Sequence, residues 1–529
     1  MSEDHRARIA VLEKALAVLE AFGPATPDLR IAEIAETTGM SRSSAQRVAH
    51  TLVQCGYLRR DAVSSALSLT YRNACLAHTF LSTSHLIDLA MPALVELGAR
   101  THLRADLWVR QGVDIVNIAR VPSASHAHAI APIGERLPAL ASAPGLAMLS
   151  QLPAVGLADR VEELAAASGA AISPEQQAGH VQALKDAAAH SYVVEAGNHV
   201  HDEATISAPV LGGDGQCLAA VSVSGWLGEE SEEDPTGELV QAVLSTARAL
   251  SNLRIQTWSR AISRPAELKD ALPAPEEDED DPLFISSVAR AFRVLEAFTP
   301  ANSVLTLTEL HRLTGLPVAT IQRIVDTLIA CGYVEKDARH KTFRLTVKTL
   351  DLLFNFQMSD RITKTVWPRL VQLRDDLGLR CSFCMLAGPN IVHLLHVQSH
   401  PHADFSTAFM GRRLPAVATS GGYAILSTLT DGELDAVLDR TTLQAITPFT
   451  ITDRHTLREA IVTAREKGYA FTDQQSVLYE VNVAAPIIGA DGQALGAIVI
   501  SAPKRDWTVA RLEQEIAPRL LSYTRAISS

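Results

Sequence analysis

The chain states one long pattern twice. Ala15-Leu-Ala-Val-Leu-Glu-Ala-Phe22 returns as Ala291-Phe-Arg-Val-Leu-Glu-Ala-Phe298, and Gln46-Arg47 with Cys55-Gly56-Tyr57 returns as Gln322-Arg323 with Cys331-Gly332-Tyr333. The register difference is 276 residues throughout this stretch, from Ala15 to Ala291 as from Cys55 to Cys331. It becomes 277 after a one-residue insertion, where Gly134-Glu-Arg-Leu-Pro138 answers Gly411-Arg-Arg-Leu-Pro415. A period this long repeats a whole protein of roughly 250 residues, not a solenoid unit of 20–50. The fold must therefore be two copies of one module.

At ~150 residues per domain, a chain of 529 residues with 47% hydrophobic and 20% charged side chains is expected to hold two copies of a two-domain module of ordinary globular composition. No apolar run approaches the ~20 residues of a membrane span, and the polar start Met1-Ser-Glu-Asp-His-Arg6 lacks a signal-peptide core. A cytoplasmic protein with no membrane partner is expected. Between the copies, Pro265, Pro273 and Pro275 precede the acidic run Glu276–Asp281 and Pro282. That composition cannot bury enough apolar surface to pack, so it predicts an exposed linker. The run supplies half of the formal charge of −12.

Six cysteines in a chain of this length do not form a secreted disulfide framework. Cys381-Ser-Phe-Cys384 has CxxC spacing but no second CxxC, and it falls in an expected strand, so neither metal nor redox chemistry is assigned. The histidines His126/His128, His199/His201 and His393/His396/His400/His402 have no completing ligands at metal-site spacing and are read as solvated or pocket-lining. No cofactor is implied.

Each copy opens with three helical patterns and a hairpin. Ile9, Leu12, Leu16, Leu19 and Phe22 share one helical side, Ile31, Ile34 and Ala35 another, and Ser41 is a fitting N-cap for a third helix from Arg42 to about Gln54. In that helix Ala45, Val48, Ala49 and Leu52 form the inward stripe, as do Ile321, Ile324, Val325 and Leu328 in copy two, whose helix is read with Pro317 in its first turn. The outward face keeps Arg42, Ser43, Gln46, Arg47 and His50, against Val318, Thr320, Gln322, Arg323 and Asp326. Gln and Arg suit bidentate contacts to adenine and guanine edges, and Ser and Thr suit phosphates. Gly56 and Gly332 end the helices, and two-stranded hairpins follow, carrying Arg59 and Arg60, or Lys336, Arg339, Lys341 and Arg344. This is a winged helix-turn-helix with a basic wing.

A single long helix is expected from Tyr71 to about Gly98. Mixed patterns follow: strands at 103–109 and 115–118, helices at 143–151 and 174–190, a hairpin of 205–211 with 218–224, and a last helix near 237–260. The expected class is α+β, each winged helix being followed by a sensor-like domain. The order of Thr-Gly before the third helix, Gln-Arg within it, then Gly-x-x-Leu-Pro, Gly-Tyr-Ala, and Ala-Ala-Pro-x-x-x-x-x-Gly-Gln resembles the IclR family of bacterial transcription regulators over nearly the whole chain, twice. The resemblance implies winged helices at 9–71 and 285–347, effector-binding domains at 72–262 and 348–529, and a linker at 263–284.

It also implies effector pockets. Their first wall aligns with Ser142-Ala-Pro-Gly145 and with Thr419, Ser420, Gly421 and Gly422. An acidic position aligns with Glu195 but with Thr472 in copy two; a polar position with Thr205 and Asn482; paired serines with Ser222 and Ser224, but with Val499 and Ser501. On these residues a small hydroxy- or keto-acid is expected in the first half, and something different or nothing in the second. The function expected is a DNA-binding transcription regulator, a repressor in the first instance, that responds to a small carboxylate effector. Its two copies are expected to form an intramolecular pseudo-dimer on operator DNA, with further homo-oligomerisation through the sensors. The alternatives are a protein-interaction module without DNA readout, or an enzyme. HExxH, GxSxG and GxGxxG opening a helix are all absent from the sequence.

Overall fold

The third helix of each copy begins and stops where local chemistry dictates. Ser41 Oγ accepts the Ser44 amide at 3.3 Å and starts Arg42–Gln54. Gly56, at φ 76°, ends it: its amide bonds to the Val53 carbonyl at 2.9 Å, and that of Tyr57 to Leu52 at 2.9 Å. This is a Schellman closure, which needs the left-handed residue that glycine supplies. Gly332 and Tyr333 repeat it on Ile329 and Leu328. Pro317 is the N-cap of Val318–Ala330 and not a first-turn residue, with ψ at 140°, because the helical conformation begins one residue later.

The computed structural model describes residues 8–123, 132–169, 171–195, 203–225, 235–253, 281–399 and 410–528. They form two separately packed bodies, one of 84–253 and one of the remainder. The linker up to Asp280 and the histidines 126, 128, 199, 201, 400 and 402 lie outside the described residues.

The larger body holds both winged helices and the second sensor domain. Helices Ala10–Glu20, Ile31–Thr38 and Arg42–Gln54 precede a hairpin of Leu58–Arg60 with Leu67–Leu69. Ser286–Glu296, Leu307–Thr314, Val318–Ala330 and the hairpin Val334–Asp337 with Thr342–Leu345 repeat this. The inward stripes Ala45/Val48/Ala49/Leu52 and Ile321/Ile324/Val325/Leu328 are buried as the spacing predicts; each Val, Leu or Ile so covered contributes about 1.5–3 kcal/mol. Helices Arg72–Thr83 and Thr349–Ser359 leave the two wings and pack on each other.

The second sensor is one antiparallel six-stranded sheet in the order Arg413–Pro415, Asn390–Val397, Arg380–Ala387, Ala494–Pro503, Glu480–Ile488, Ala470–Asp473. Helices Ser420–Leu426, Asp431–Arg440 and Arg454–Lys467 build its core through Tyr423, Leu426, Leu434, Leu457 and Ile461.

The smaller body repeats that order with Arg136–Pro138, Asp114–Val121, Arg104–Gln111, Cys217–Gly225, Ala204–Leu211 and Val193–Glu195. The expected helix 71–98 is two helices, Arg72–Thr83 and His85–Thr101. Ser84 is extended and accepts the Ile87 amide at 3.5 Å, so a side-chain cap restarts the chain where an unbroken apolar pattern predicts continuity. The last helix runs Pro235–Ser251, with 254–260 outside the described residues. Helix Leu157–Ala167 and the short strands Arg136–Pro138 and Val193–Glu195 are not evident in the sequence.

Candidate DNA interface and effector pockets

On the third helices, burying one stripe leaves the other face open. Arg42, Ser43, Gln46 and Arg47 are exposed, as are Val318 and Arg323, with Thr320 and Gln322 half-buried. The two faces differ in how they are held. Gln322 Nε2 donates to Asp326 Oδ1 at 2.7 Å, while at the position of Asp326 copy one has His50, whose Nε2 lies 2.5 Å from Asp281. In the wings Arg59 donates to Ser68 Oγ at 2.9 Å, Arg60 and Lys341 are exposed, and Lys336 stands 5.9 Å from the Phe343 ring.

The winged helices are joined by contacts that come in equivalent pairs. The Ile9 amide donates to Thr327 Oγ1 at 3.0 Å, and the Ile285 amide to Thr51 Oγ1 at 3.0 Å. Tyr57 donates to Glu296 at 2.6 Å and Tyr333 to Glu20 at 2.8 Å, with Arg72 and Lys348 each 3.2 Å from those same carboxylates. Partners and their counterparts are related by the 276-residue repeat, so the interface is isologous although it lies within one chain. Burial pushes the Glu296 carboxyl above its usual range despite Tyr57 and Arg72, and pushes both tyrosines well above theirs.

In each sensor sheet, register brings four polar side chains into one row across adjacent strands, where they share a face. In the second sensor the row is Thr472, Asn482, Ser501 and Arg380. All four line a cavity of about 30 Å³ with Ser382, His393, Ser420, Gly421, Glu480 and Val499. It has room for about two waters. The Thr472 hydroxyl is buried and has no hydrogen-bond partner among the described residues. Arg380 pairs with Glu480 at the cavity edge. Burial, with Arg412 close by, holds His393 down to about 3, so it lines the cavity as a neutral imidazole. Of the copy-two pocket residues expected from the sequence, Thr419, Ser420, Gly421, Thr472, Asn482, Val499 and Ser501 are in this lining, and Gly422 is not. Arg380, Ser382, His393 and Glu480 join them; the recurrence of Arg380 and Glu480 as Arg104 and Glu203 was the available signal.

In the first sensor the same row is Glu195, Thr205, Ser224 and Arg104, and here the side chains hold one another. Glu195 accepts the Ala143 amide at 2.8 Å, and Thr205 and Ser224 hydroxyls lie 3.0 Å apart. Trp108 donates to Ser222 at 3.0 Å, and Ser142 Oγ to the Pro138 carbonyl at 2.9 Å. Asp106, fully buried, is paired with Arg120 and, at 3.0 Å, with Arg104; Arg120 reaches Glu135 at 2.8 Å. Burial alone would push the Asp106 carboxyl up, but the two guanidiniums hold it below its usual value. Gly145 serves packing: a Cβ there would lie 2.1 Å from the Ala139 carbonyl oxygen, as one on Gly422 would lie 2.0 Å from that of Ala416.

Burial pushes the Cys381 and Cys384 thiols up to about 12. Among the described residues no group of three or more His, Cys, Asp or Glu could hold a metal ion, and no single helix is long and apolar enough to cross a membrane.

Paired winged helices with exposed Gln-Arg helices, each followed by an α+β sensor, define a DNA-binding regulator class. The profile of the bacterial transcriptional regulator IclR C-terminal domain matches residues 78–252 and 357–529, and that of the IclR helix-turn-helix domain matches 11–62 and 287–338. The Pca regulon regulatory protein of Pseudomonas putida is 31% identical over 245 residues, 46% of this chain and 84% of that protein. The p-hydroxybenzoate hydroxylase transcriptional activator of Acinetobacter baylyi is 28% identical over 220 residues, 41% of this chain and 80% of that protein. A solved transcriptional regulator from Rhodococcus sp. RHA1 is 33% identical, covering 46% of this chain and 97% of its own, with a TM-score of 0.42. The chain belongs to the IclR family and carries that family's helix-turn-helix and C-terminal domains twice. It is a DNA-binding transcription regulator, not an enzyme.

Proposed function

We propose that one chain reads two unequal half-operators with its two third helices and adjusts that binding when a small carboxylate enters the second sensor. The reciprocal interface between the winged helices carries the first part, since it fixes two reading helices in one body as a homodimer would. Gln46/Arg47 and Gln322/Arg323 are the base-reading pairs, with Arg42, Ser43 and Thr320 beside them. Arg59, Arg60, Lys336 and Lys341 meet phosphate. Arg47→Ala or Arg323→Ala should cost roughly 1–3 kcal/mol at the specific site, and Arg60→Ala should weaken all sequences alike and flatten the salt slope. Identical specificity profiles for the two kinds of variant would overturn the division between helix and wing.

For the effector, the geometry favours the second sensor over the first, the reverse of the expectation from residue types alone. Arg380 can take a carboxylate, and the hydroxyls of Thr472 and Ser501 with the Asn482 amide can take its remaining polar groups. A carboxylate that outgrows the present cavity would displace its walls, which would supply a conformational signal. The similarity to the p-hydroxybenzoate hydroxylase transcriptional activator supports starting with hydroxylated aromatic acids. A thermal-shift screen of aromatic and aliphatic carboxylates on the intact chain tests this: the active compound should lose its effect on Thr472→Val. Association of chains through the sensors is a further part of the reading, decided by sedimentation.

A further inference from the structure

We infer that the first sensor carries its own ligand: the Glu195 carboxylate fills the position that an effector takes in the second sensor, in a domain where Trp108 and the Asp106–Arg120 pair replace smaller groups, so this domain is held closed and one chain responds to one effector. The inference rests on the reading of the second cavity as the effector site.

The tandem repeat supplies the comparison. Glu195 stands where copy two has Thr472, and reaches across to the Ala143 amide, which corresponds to that of Ser420. The next position, Gly421 in copy two, is Pro144, which has no N–H to offer. Trp108 replaces Cys384, and its indole N–H satisfies Ser222 where copy two has the apolar Val499. Asp106 and Arg120 replace Ser382 and His396 and form a buried network with Asn117, which Arg120 extends to the half-buried Glu135. Small or neutral groups are thus exchanged for large or mutually satisfied ones at each of these positions. An incoming acid would have to displace a carboxylate from a bonded amide and break a desolvated ion pair, each unfavourable without compensation.

The test is hydrogen exchange of the full chain, read at peptides covering 140–150. Glu195→Ala should speed exchange at Ala143 about tenfold, the loss of one partly buried hydrogen bond. Millimolar acetate should restore slow exchange in this variant and leave the wild-type peptide unchanged, because the wild-type carboxylate already occupies the position. Unchanged exchange in Glu195→Ala, or equal acetate responses in variant and wild type, would overturn the inference. Should Glu195→Ala unfold residues 84–253, Glu195→Gln decides, since it keeps an acceptor oxygen: a protected Ala143 indifferent to acetate supports the inference, and an exposed one overturns it. Thr472→Val should leave all these rates unaltered. Failure of the second-cavity reading would appear only in the carboxylate screen and leave this result standing.

Discussion

Ser191 and Gly468 do the same job at unequal cost. Both end a helix in the left-handed region, at φ 63° and 78°, and only glycine is free of Cβ strain there. Ser191→Gly should therefore stabilise the first sensor by about 0.5–1 kcal/mol, seen as a higher urea midpoint with unchanged slope; a lower midpoint would mean that the serine hydroxyl matters more than the strain. Arg120 shows the opposite kind of dependence. Its side chain is 2% exposed and holds Asp106, which is 0% exposed. Arg120→Ala should cost roughly 3–5 kcal/mol, because it leaves an uncompensated buried carboxylate, whereas replacing Asp106 and Arg120 together by apolar residues should cost much less. A double-mutant cycle separates the two, and additive losses would refute the coupling.

At the scale of elements, the strand Asn390–Val397 carries a pH dependence. Burial, with Arg380 close by, holds His396 down to about 3, and His393 is held as low. The folded state therefore binds fewer protons than the unfolded chain, in which these groups titrate near 6.5. Their contribution to stability is complete above 6.5 and is lost as pH falls toward 3. The slope is up to ~1.4 kcal/mol per pH unit for each histidine. Urea midpoints measured at pH 7.5 and 5.5 should fall accordingly, and less steeply in His396→Gln. The elements themselves were largely legible in the sequence. Helix Arg42–Gln54 follows from its stripe, its Ser41 cap and Gly56. The break at Ser84 was hidden because apolar residues continue on both sides of it. The copy-two pocket could be located by alignment, since Thr472, Asn482 and Ser501 are brought together by strand register. The hydrogen bond that Glu195 makes could not, because its partner is an amide 52 residues away.

For the whole molecule, fusing two modules frees the halves from identity. A homodimer must present the same helix twice, and so prefers a symmetric site. Here Arg42, Ser43 and Ser44 of one helix correspond to Val318, Ala319 and Thr320 of the other, beside the shared Gln-Arg pair. Exchanging a charged side chain for an exposed apolar one at the first helical position removes a hydrogen-bonding partner for phosphate or base edge in one half only. The preferred operator should then be an imperfect palindrome, with half-sites one helical turn or a multiple apart and a stricter half under copy one. The substitutions Val318→Arg, Ala319→Ser and Thr320→Ser, made together, give both helices the same leading residues. Selection from a random duplex library should shift from an asymmetric consensus for the native chain to a more symmetric one for this variant, with the gained base contact worth about 1–3 kcal/mol. A native chain that already selects a perfect palindrome, or a variant whose consensus does not move, would mean that these positions do not read sequence.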